Sequence, residues 1–440
     1  MIGLIKQLRW VFLGTVLVVA AFSTGIPFLF FLMYLSAGLL LAAWLYSRNG
    51  LRGVRAGYHV LNPRAHAGEI LQAVYRVDNP TRWPKPWIEV WNDSTLPASL
   101  PGRAIGIRAE ASRQWLAKVT LVRRGSYRLG ALRVRTGDPF GLFSSEMVVG
   151  QPTGVVVFPK VYDLPHWRLP PSPVDGSSPS RRRYEAATPL ASTIRPYVYG
   201  DAINRVHWLS SARHGELQVK EFDLEQAADL WLVLDLERTA HAGGGDKASV
   251  EAAVSAAASI ALRTLADNRA VGLTASARRT QILTPDRGTR VEQKILHLLA
   301  NVQSDGGNPL AEVVLSTLPQ LRRGMTLCIV TGSTNRDWVR AISGLRRRGV
   351  GVVVVLIDRH SFVPKPAPQP AVPGPPGSTG AKGEAAPTEA DSGVDEELEK
   401  HRAELAACRH ALAEYDIVTY LVTAGDDLGE VLGQRTRVRA

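Results

Sequence analysis

No charged residue stands between Arg9 and Arg48, and that gap constrains the chain more than any other feature. The run is about twice the ~20 apolar residues that cover a bilayer core. Ser23-Thr24-Gly25-Ile26-Pro27 breaks it near the middle, as a tight turn should. Two spanning helices are expected, Trp10–Phe22 and Phe28–Tyr46, with the start of the first reaching back toward Leu4. Trp10, Trp44 and Tyr46 fall where interfacial aromatics belong. A cleaved signal peptide is the competing reading, but the run is too long for one and a second span follows at once. Lys6 and Arg9 precede the hairpin and Arg48, Arg52 and Arg55 follow it. Basic residues at both ends favour a cytoplasmic location for both. The expectation is therefore a multi-pass protein of the inner (plasma) membrane, with a hairpin over residues 1–50, lipid contact through it, and everything after it cytoplasmic.

At 440 residues the chain calls for two or three domains. A formal charge of +12 is compatible with nucleic acid, anionic lipid or an acidic partner. Cys328 and Cys408 are the only cysteines, and their spacing indicates neither a metal site nor a disulfide framework. Cys328 lies in an apolar run, Thr326 to Val330, and reads as a small core residue.

Residues 51–163 read as an all-β sandwich. Ile70–Val77, Trp87–Trp91, Gln114–Val122, Tyr127–Thr136 and Val155–Phe158 are strand-like, and turn clusters such as Asp78-Asn79-Pro80-Thr81 separate them at sandwich-like spacing. Alternation in Leu132-Arg133-Val134-Arg135-Thr136 places Leu132 and Val134 on one face and the two arginines on a solvated one. Asp138-Pro139-Phe140-Gly141-Leu142-Phe143 reads as a structural corner whose aromatics plug the end of the sandwich. Residues 164–191, rich in Pro and Ser and carrying Arg181-Arg182-Arg183, read as a linker.

Alternating β and α segments fill residues 226–440. Leu230–Leu234, Val271–Ala275, Thr326–Val330, Gly351–Ile357 and Val418–Val422 are the strands. Lys247–Asp267, Thr289–Val302, Asn308–Leu321, a helix begun at Thr334 with Asp337 as its cap partner, and Val394–Glu414 are the helices. Such units make a mostly parallel sheet covered on both faces. A Pro/Ala/Gly-rich insertion at 361–393 should be solvated and coreless.

Between these domains, residues 192–225 pack Arg195, Tyr197, Tyr199, Gly200, Asp201, Arg205, His207, Trp208, Ser211, Arg213, Lys220 and Glu221 into one short stretch. Few of these are core formers. An extended piece to Tyr199, a turn at Gly200-Asp201 and a helical turn through Trp208 are expected, then a second extended piece, Leu217–Phe222. A buried ion-pair network, Asp201 and Glu221 against Arg205 and Arg213, is the structural alternative to a docking role. The run RPYVYGDAINRVHWLSSARHGELQVKEFD resembles the central signature of the family catalogued as domain of unknown function 58. RRGSYRLGALRVRTGDPFGLF, Arg123 to Phe143, is similar to its second hallmark. That resemblance implies a membrane-anchored protein whose partner is a MoxR-type AAA+ ATPase and, taken with the alternating pattern, an α/β domain like that of von Willebrand factor A; the sandwich is read as immunoglobulin-like from its strand and turn spacing. It implies no known reaction.

Domains of the A type often hold a divalent ion at the carboxyl ends of the sheet. Here the first ligand set stands as Asp235-Leu236-Glu237-Arg238-Thr239, with Asp235 and Thr239 fitting and Glu237 replacing a small hydroxyl. Asn308 takes the place of a Thr, and near Thr331-Gly332 the expected Asp is missing. The expectation is a degenerate site and no cofactor, though Asp235 and Glu237 offer Mg²⁺ two oxygens. Catalysis has little to stand on: no Gly-x-Ser-x-Gly elbow, Walker loop or zinc spacing occurs. Three function classes stay open. The first is a non-enzymatic adaptor or scaffold serving membrane or envelope complexes. The second is a hydrolase acting on envelope precursors through Asp201, His207 and Ser210 or Ser211, which needs that group in a cleft. The third is a basic nucleic-acid binder using Arg181-Arg182-Arg183, Arg195, Arg205, Arg213 and Lys220, which predicts steep salt dependence.

Overall fold

The computed structural model describes residues 2–169, 193–199, 201, 203, 206–221, 229–363 and 389–433. The linker's Arg181-Arg182-Arg183, Gly200, Arg205, the stretch 222–228 and most of the insertion lie outside the described residues. So do the side chains of Arg195, Lys220 and Glu221. The chain divides into two compact units, Met1–Lys160 with Leu296–Asn301, and Val161–Ile295 with Val302–Ala440.

The first unit opens with two helices, α1 (Ile2–Thr24) and α2 (Pro27–Gly50). Gly25, at φ +66°, makes the turn between them, and Pro27 starts α2 where a missing N–H costs nothing. Pro27–Gly50 is long and apolar enough to cross a membrane, and Phe12–Thr24 is a shorter apolar helix. Both helices run further than the sequence suggests, since Lys6, Arg9 and Arg48 continue a helix as readily as Leu does. These segments make the chain a membrane-associated one. Where α2 ends, the buried Lys85 ammonium donates to the Asn49 carbonyl at 3.1 Å, an acceptor that it shares with the Arg52 N–H. Burial lowers the pKa of that ammonium.

Nine strands follow among the described residues: β1 (Arg55–Val60), β2 (Arg64–His66), β3 (Ile70–Asn79), β4 (Lys85–Ser94), β5 (Arg103–Ile107), β6 (Ala111–Thr120), β7 (Gly125–Gly137), β8 (Ser144–Val149) and β9 (Thr153–Phe158). β1, β3 and β6 form one sheet; β2, β9, β7, β4 and β5 form a second, with β8 also on β7. One core takes Leu71, Ala73, Tyr75 and Val77 from the first sheet and Ile88, Val90, Leu132 and Val134 from the second. The alternation read at Leu132–Thr136 is found, but Arg133 is more than solvated. It pairs with Asp93 at 2.6 Å and Glu146 at 2.7 Å. The corner after β7 also differs from expectation. Phe140 is exposed, and the buried Asp138 carboxylate makes the turn by accepting from the Phe140 and Phe143 N–H groups at 2.9 and 2.5 Å.

The second unit carries β10 (Thr193–Pro196), α3 (Trp208–His214) and β11 (Gln218–Glu221), then β12 (Leu230–Leu234), α4 (Ser249–Ala266), β13 (Val271–Ser276) and β14 (Thr280–Asp286). After these come α5 (Thr289–Asn301), of which Leu296–Asn301 counts with the first unit, α6 (Leu310–Thr317), β15 (Thr326–Thr331), α7 (Asp337–Ser343), β16 (Gly351–Ile357), α8 (Glu389–Glu414), β17 (Val418–Val422) and α9 (Leu428–Gly433). The sheet order is β14-β13-β12-β15-β16-β17, parallel except for the antiparallel edge strand β14. Every residue of β12, β13 and β15 is buried, as a parallel sheet covered on both faces requires. Trp231, Val233, Leu327 and Ile329 share a core with α6, α7 and α8. Alternation turns Leu230, Leu232 and Cys328 to the other face, and the alanine-rich α4 packs on β12, β15 and β16. α4 has the apolarity of a membrane span, but most of it is buried. It is a core helix.

Three boundaries depart from expectation. Thr334 does not open a helix: its hydroxyl donates to Glu404 at 3.0 Å, and α7 begins later, at Asp337, under the Asn335 side chain. The insertion is shorter than 361–393, because a 3-10 turn runs over Arg359–Phe362 and α8 already begins at Glu389. The start of the expected 164–191 linker is docked, with Leu164 and Trp167 buried and the Trp167 ring 5.2 Å from that of Tyr420.

Candidate functional site

Two places carry the polar residues singled out in the sequence, and both belong to the second unit. The first is the carboxyl end of the parallel sheet. Asp235 follows β12 and is wholly buried. Its Oδ1 accepts from the Glu237 N–H at 2.9 Å and its Oδ2 from the Thr331 hydroxyl at 2.6 Å. Burial drives its pKa up to about 6; the bonds from Thr331 and Glu237 only partly offset this. The Thr239 hydroxyl donates to Glu237 at 2.6 Å. Gly306 lies in the bridge that pins this loop: Glu237 pairs with it, and a Cβ there would sit 2.2 Å from the Ser276 carbonyl. Asn308, the expected Thr equivalent, is exposed.

These residues do not fit a divalent ion. A Mg²⁺ cage needs several free oxygens in octahedral array. Here both Asp235 oxygens already have donors, one of them the hydroxyl at the position where an Asp was expected. Among the described residues no group of three metal-capable side chains converges.

Beside this loop lies a cavity of about 250 Å³, lined among others by Glu237, Thr239, Ser333, Asn335, Trp338 and Arg359. Arg359 donates to the Thr239 carbonyl and so ties the turn after β16 to the loop after β12. No motif or spacing pointed to Arg359, Trp338 or His241. The His241 ring bridges the Asp235 carbonyl at 2.8 Å and the Ser249 hydroxyl at 3.2 Å. Only the parallel register of β12, β15 and β16 brings these distant loops to one end.

The second place is the segment of β10, α3 and β11. β10 and β11 pair antiparallel, Arg195 opposite Val219 and Ile194 opposite Lys220. The Asp201 carboxylate accepts from the Val198 N–H at 2.9 Å, closing the turn after β10. The helix differs from expectation: it begins at Trp208 and does not end there. His207 caps it, its Nδ1 accepting from the Ser210 N–H at 3.0 Å. The buried Ser211 hydroxyl donates to the His207 carbonyl at 3.1 Å and accepts from the Gln218 N–H at 2.8 Å. His207 Nδ1 and the Ser211 hydroxyl are thus bonded to main chain, not to each other. Tyr197 is half-buried, and its N–H donates to the Leu217 carbonyl at 2.8 Å. Arg213 is exposed and makes no ion pair among the described residues, so its share of the expected buried network is not formed there. The Arg205 and Glu221 share lies outside the described side chains.

Exposed around this frame are Val198 (61%), Tyr199 (100%), Ile203 (70%), Trp208 (65%) and Leu209 (63%). Five large apolar side chains left in water on one short segment are an unusual concentration, because folding ordinarily removes such groups from solvent.

The chain is thus one with apolar N-terminal helices, a β-rich unit and an α/β unit built on a largely parallel sheet. Residues 193–365 match the family described as "Protein of unknown function DUF58", a span that contains both places described above. The chain is 23% identical over 379 residues to the "Uncharacterized protein YeaD" of Bacillus subtilis (strain 168), covering 81% of this chain and 91% of that protein. Among solved structures, the CARDB domain of the PF1109 protein from Pyrococcus furiosus is similar over 24% of this chain and 91% of its own, at 11% identity and a TM-score of 0.18. Proximal thread matrix protein 1 from the mussel byssus is similar over 31% of this chain and 42% of its own, at 10% identity and a TM-score of 0.23. Both likenesses are local and carry no assignment.

Proposed function

We propose that this protein is a membrane-anchored, non-enzymatic adaptor that docks a protein partner through the β10–α3–β11 segment. The observation that supports it is the exposed set Val198, Tyr199, Ile203, Trp208 and Leu209. Aromatic side chains of this kind, held on a small rigid frame, are the residue types that dominate binding energy at protein interfaces. The partner implied by the family resemblance is a MoxR-type AAA+ ATPase, and the setting is assembly or maintenance of membrane or envelope complexes. On the same reading the β-rich unit is an immunoglobulin-like sandwich, consistent with two sheets around one core. The α/β unit is von Willebrand factor A-like, with Asp235 at the carboxyl end of its sheet. The hydrolase alternative finds no support in the bonding of His207 and Ser211.

The test is co-purification of the full chain from detergent extracts, comparing the parent with Tyr199→Ser and Trp208→Ala. Both side chains are exposed, so both variants should melt like the parent. Loss of an AAA+ ATPase from the eluate in the variants alone is the expected result. An ATPase retained by both variants, or absent from the parent eluate, overturns the reading.

A further inference from the structure

The opposite, amino-terminal end of the parallel sheet carries a concentration of charge that the adaptor reading does not use. β15 is preceded by Leu321-Arg322-Arg323-Gly324-Met325 and β16 by Arg346-Arg347-Arg348-Gly349-Val350. The two strands are parallel neighbours with Thr326 opposite Gly351, so both arginine turns are brought to the same place. Main-chain bonds lock them together: Gly324 N–H donates to the Gly349 carbonyl and Gly351 N–H to the Met325 carbonyl, each at 2.9 Å. Gly349 stands at φ +76°, and a Cβ there would lie 2.7 Å from Cγ of Arg323. A glycine is required for the turn and for the passage of the Arg323 side chain over it. All five arginines are exposed. Arg346 is neutralised by Asp416 at 2.5 Å. Arg322, Arg323, Arg347 and Arg348 make no ion pair among the described residues.

Four unneutralised guanidinium groups held on two interlocked turns repel one another, and an anionic partner removes that repulsion. Guanidinium forks match phosphate oxygens two at a time. The apolar helix α2 belongs to the same chain, so phosphate-bearing headgroups are present at high effective concentration wherever the protein resides. A nucleic-acid surface would ordinarily interleave aromatic stacking platforms with the cations, and these turns contain none. We infer that the Arg322–Arg323 and Arg346–Arg348 turns form a docking surface for the anionic headgroups of a phospholipid membrane. The inference rests on the membrane association of the chain and not on the identity of any protein partner.

The test holds the full chain in phosphatidylcholine nanodiscs and adds sedimentable vesicles, either phosphatidylcholine alone or with about one-third phosphatidylglycerol, a fraction that gives the negative surface potential of a cytoplasmic leaflet. Three proteins are compared: the parent, R322Q/R323Q/R347Q/R348Q, and a control with equal charge loss elsewhere, R278Q/R279Q/R290Q/R402Q. The parent and control should sediment with the anionic vesicles, less so as salt rises, and not with the neutral ones. The cluster variant should bind the anionic vesicles at least tenfold more weakly while melting like the parent. Equal binding of the cluster variant and the parent overturns the inference, as does equal loss in the control. Sedimentation of the parent with neutral vesicles overturns it too. So does displacement by a duplex oligonucleotide at a phosphate concentration below that of the lipid, which would make the surface a nucleic-acid site.

Discussion

Asp235 shows how much one residue depends on partners that its sequence neighbours do not reveal. Its carboxyl is buried, and its pKa rises from 3.8 to about 6. Between those values the folded state keeps a proton that the unfolded state has lost. Stability therefore falls as pH rises through this window and stays reduced above it. A rise of that size corresponds to about 3 kcal/mol. Asp235→Asn is neutral throughout, its oxygen can still accept from Glu237 N–H, and its amide can donate to the Thr331 hydroxyl. The variant should raise the urea midpoint at pH 7 and flatten its dependence between pH 4 and 6; an unchanged pH profile would refute the buried-acid account. Asp235 and Thr239 were legible as a loop set after the first strand of the sheet. Thr331 was legible only as a missing Asp, yet its hydroxyl is what satisfies Asp235. Sequence shows residue types and spacing; it does not show that a substituted position has taken over the bonding.

At the level of elements, sequence served best where a segment is uniformly buried or strongly periodic. β12, β16 and β17 have the expected limits, and β13 and β15 run one residue further, because apolar strands bounded by polar turns leave little choice. β14, β5 and β8 escaped notice: each is short or largely exposed, so packing on a neighbour decides its state more than its own pattern does. The capping of α3 was also hidden, since His207 and Ser211 look like chemistry in sequence and serve as frame in the fold. Ser211→Ala would leave the buried Gln218 N–H without its acceptor, at a cost of about 1–3 kcal/mol. Arg213→Ala, at an exposed position, should fall within about 0.5 kcal/mol of the parent. Urea denaturation distinguishes the two. The junction of α2 with the β-rich unit makes a second demand. A Cβ at Gly50 would lie 2.5 Å from Cγ2 of the buried Thr136, whose hydroxyl is fixed on the Trp87 carbonyl at 2.8 Å. Gly50→Ala should cost about 1–3 kcal/mol through overpacking. Thr136→Ser removes the methyl and keeps the hydroxyl, so the double variant should melt near the Thr136→Ser parent. Failure of that rescue would place the strain elsewhere.

For the whole molecule the membrane arrangement follows from how far α1 reaches. Its apolar part, from Trp10 to Thr24, gives about 22 Å of helix, short of a hydrocarbon core of about 30 Å. The complete helix, Ile2–Thr24, gives about 34 Å and is long enough. Lys6 and Arg9 then fall on its opening turns, near an interface, where long basic side chains ordinarily keep their charges among the headgroups. The hairpin expectation therefore rests on two cations lying at one membrane surface, the side that Arg48, Arg52 and Arg55 also favour. A chain crossing only through α2 would put its two flanks on opposite sides. Cysteine labelling separates these arrangements cleanly, because the native Cys328 and Cys408 are both buried and burial raises their thiol pKa values to about 12 and about 11. In intact cells a membrane-impermeant thiol reagent should modify Thr24→Cys, at the turn between the helices, and leave Gly3→Cys untouched. Permeabilised cells should yield both, and a reporter fused after Ala440 should be active in its cytoplasmic format. Labelling of both Gly3→Cys and Thr24→Cys from outside would reduce the hairpin to a single span through α2. Cytoplasmic activity of the Ala440 fusion would then still keep the arginine turns and the β10–α3–β11 segment on the side where the proposed lipid and protein partners are sought. A reporter active only outside would remove both proposals together.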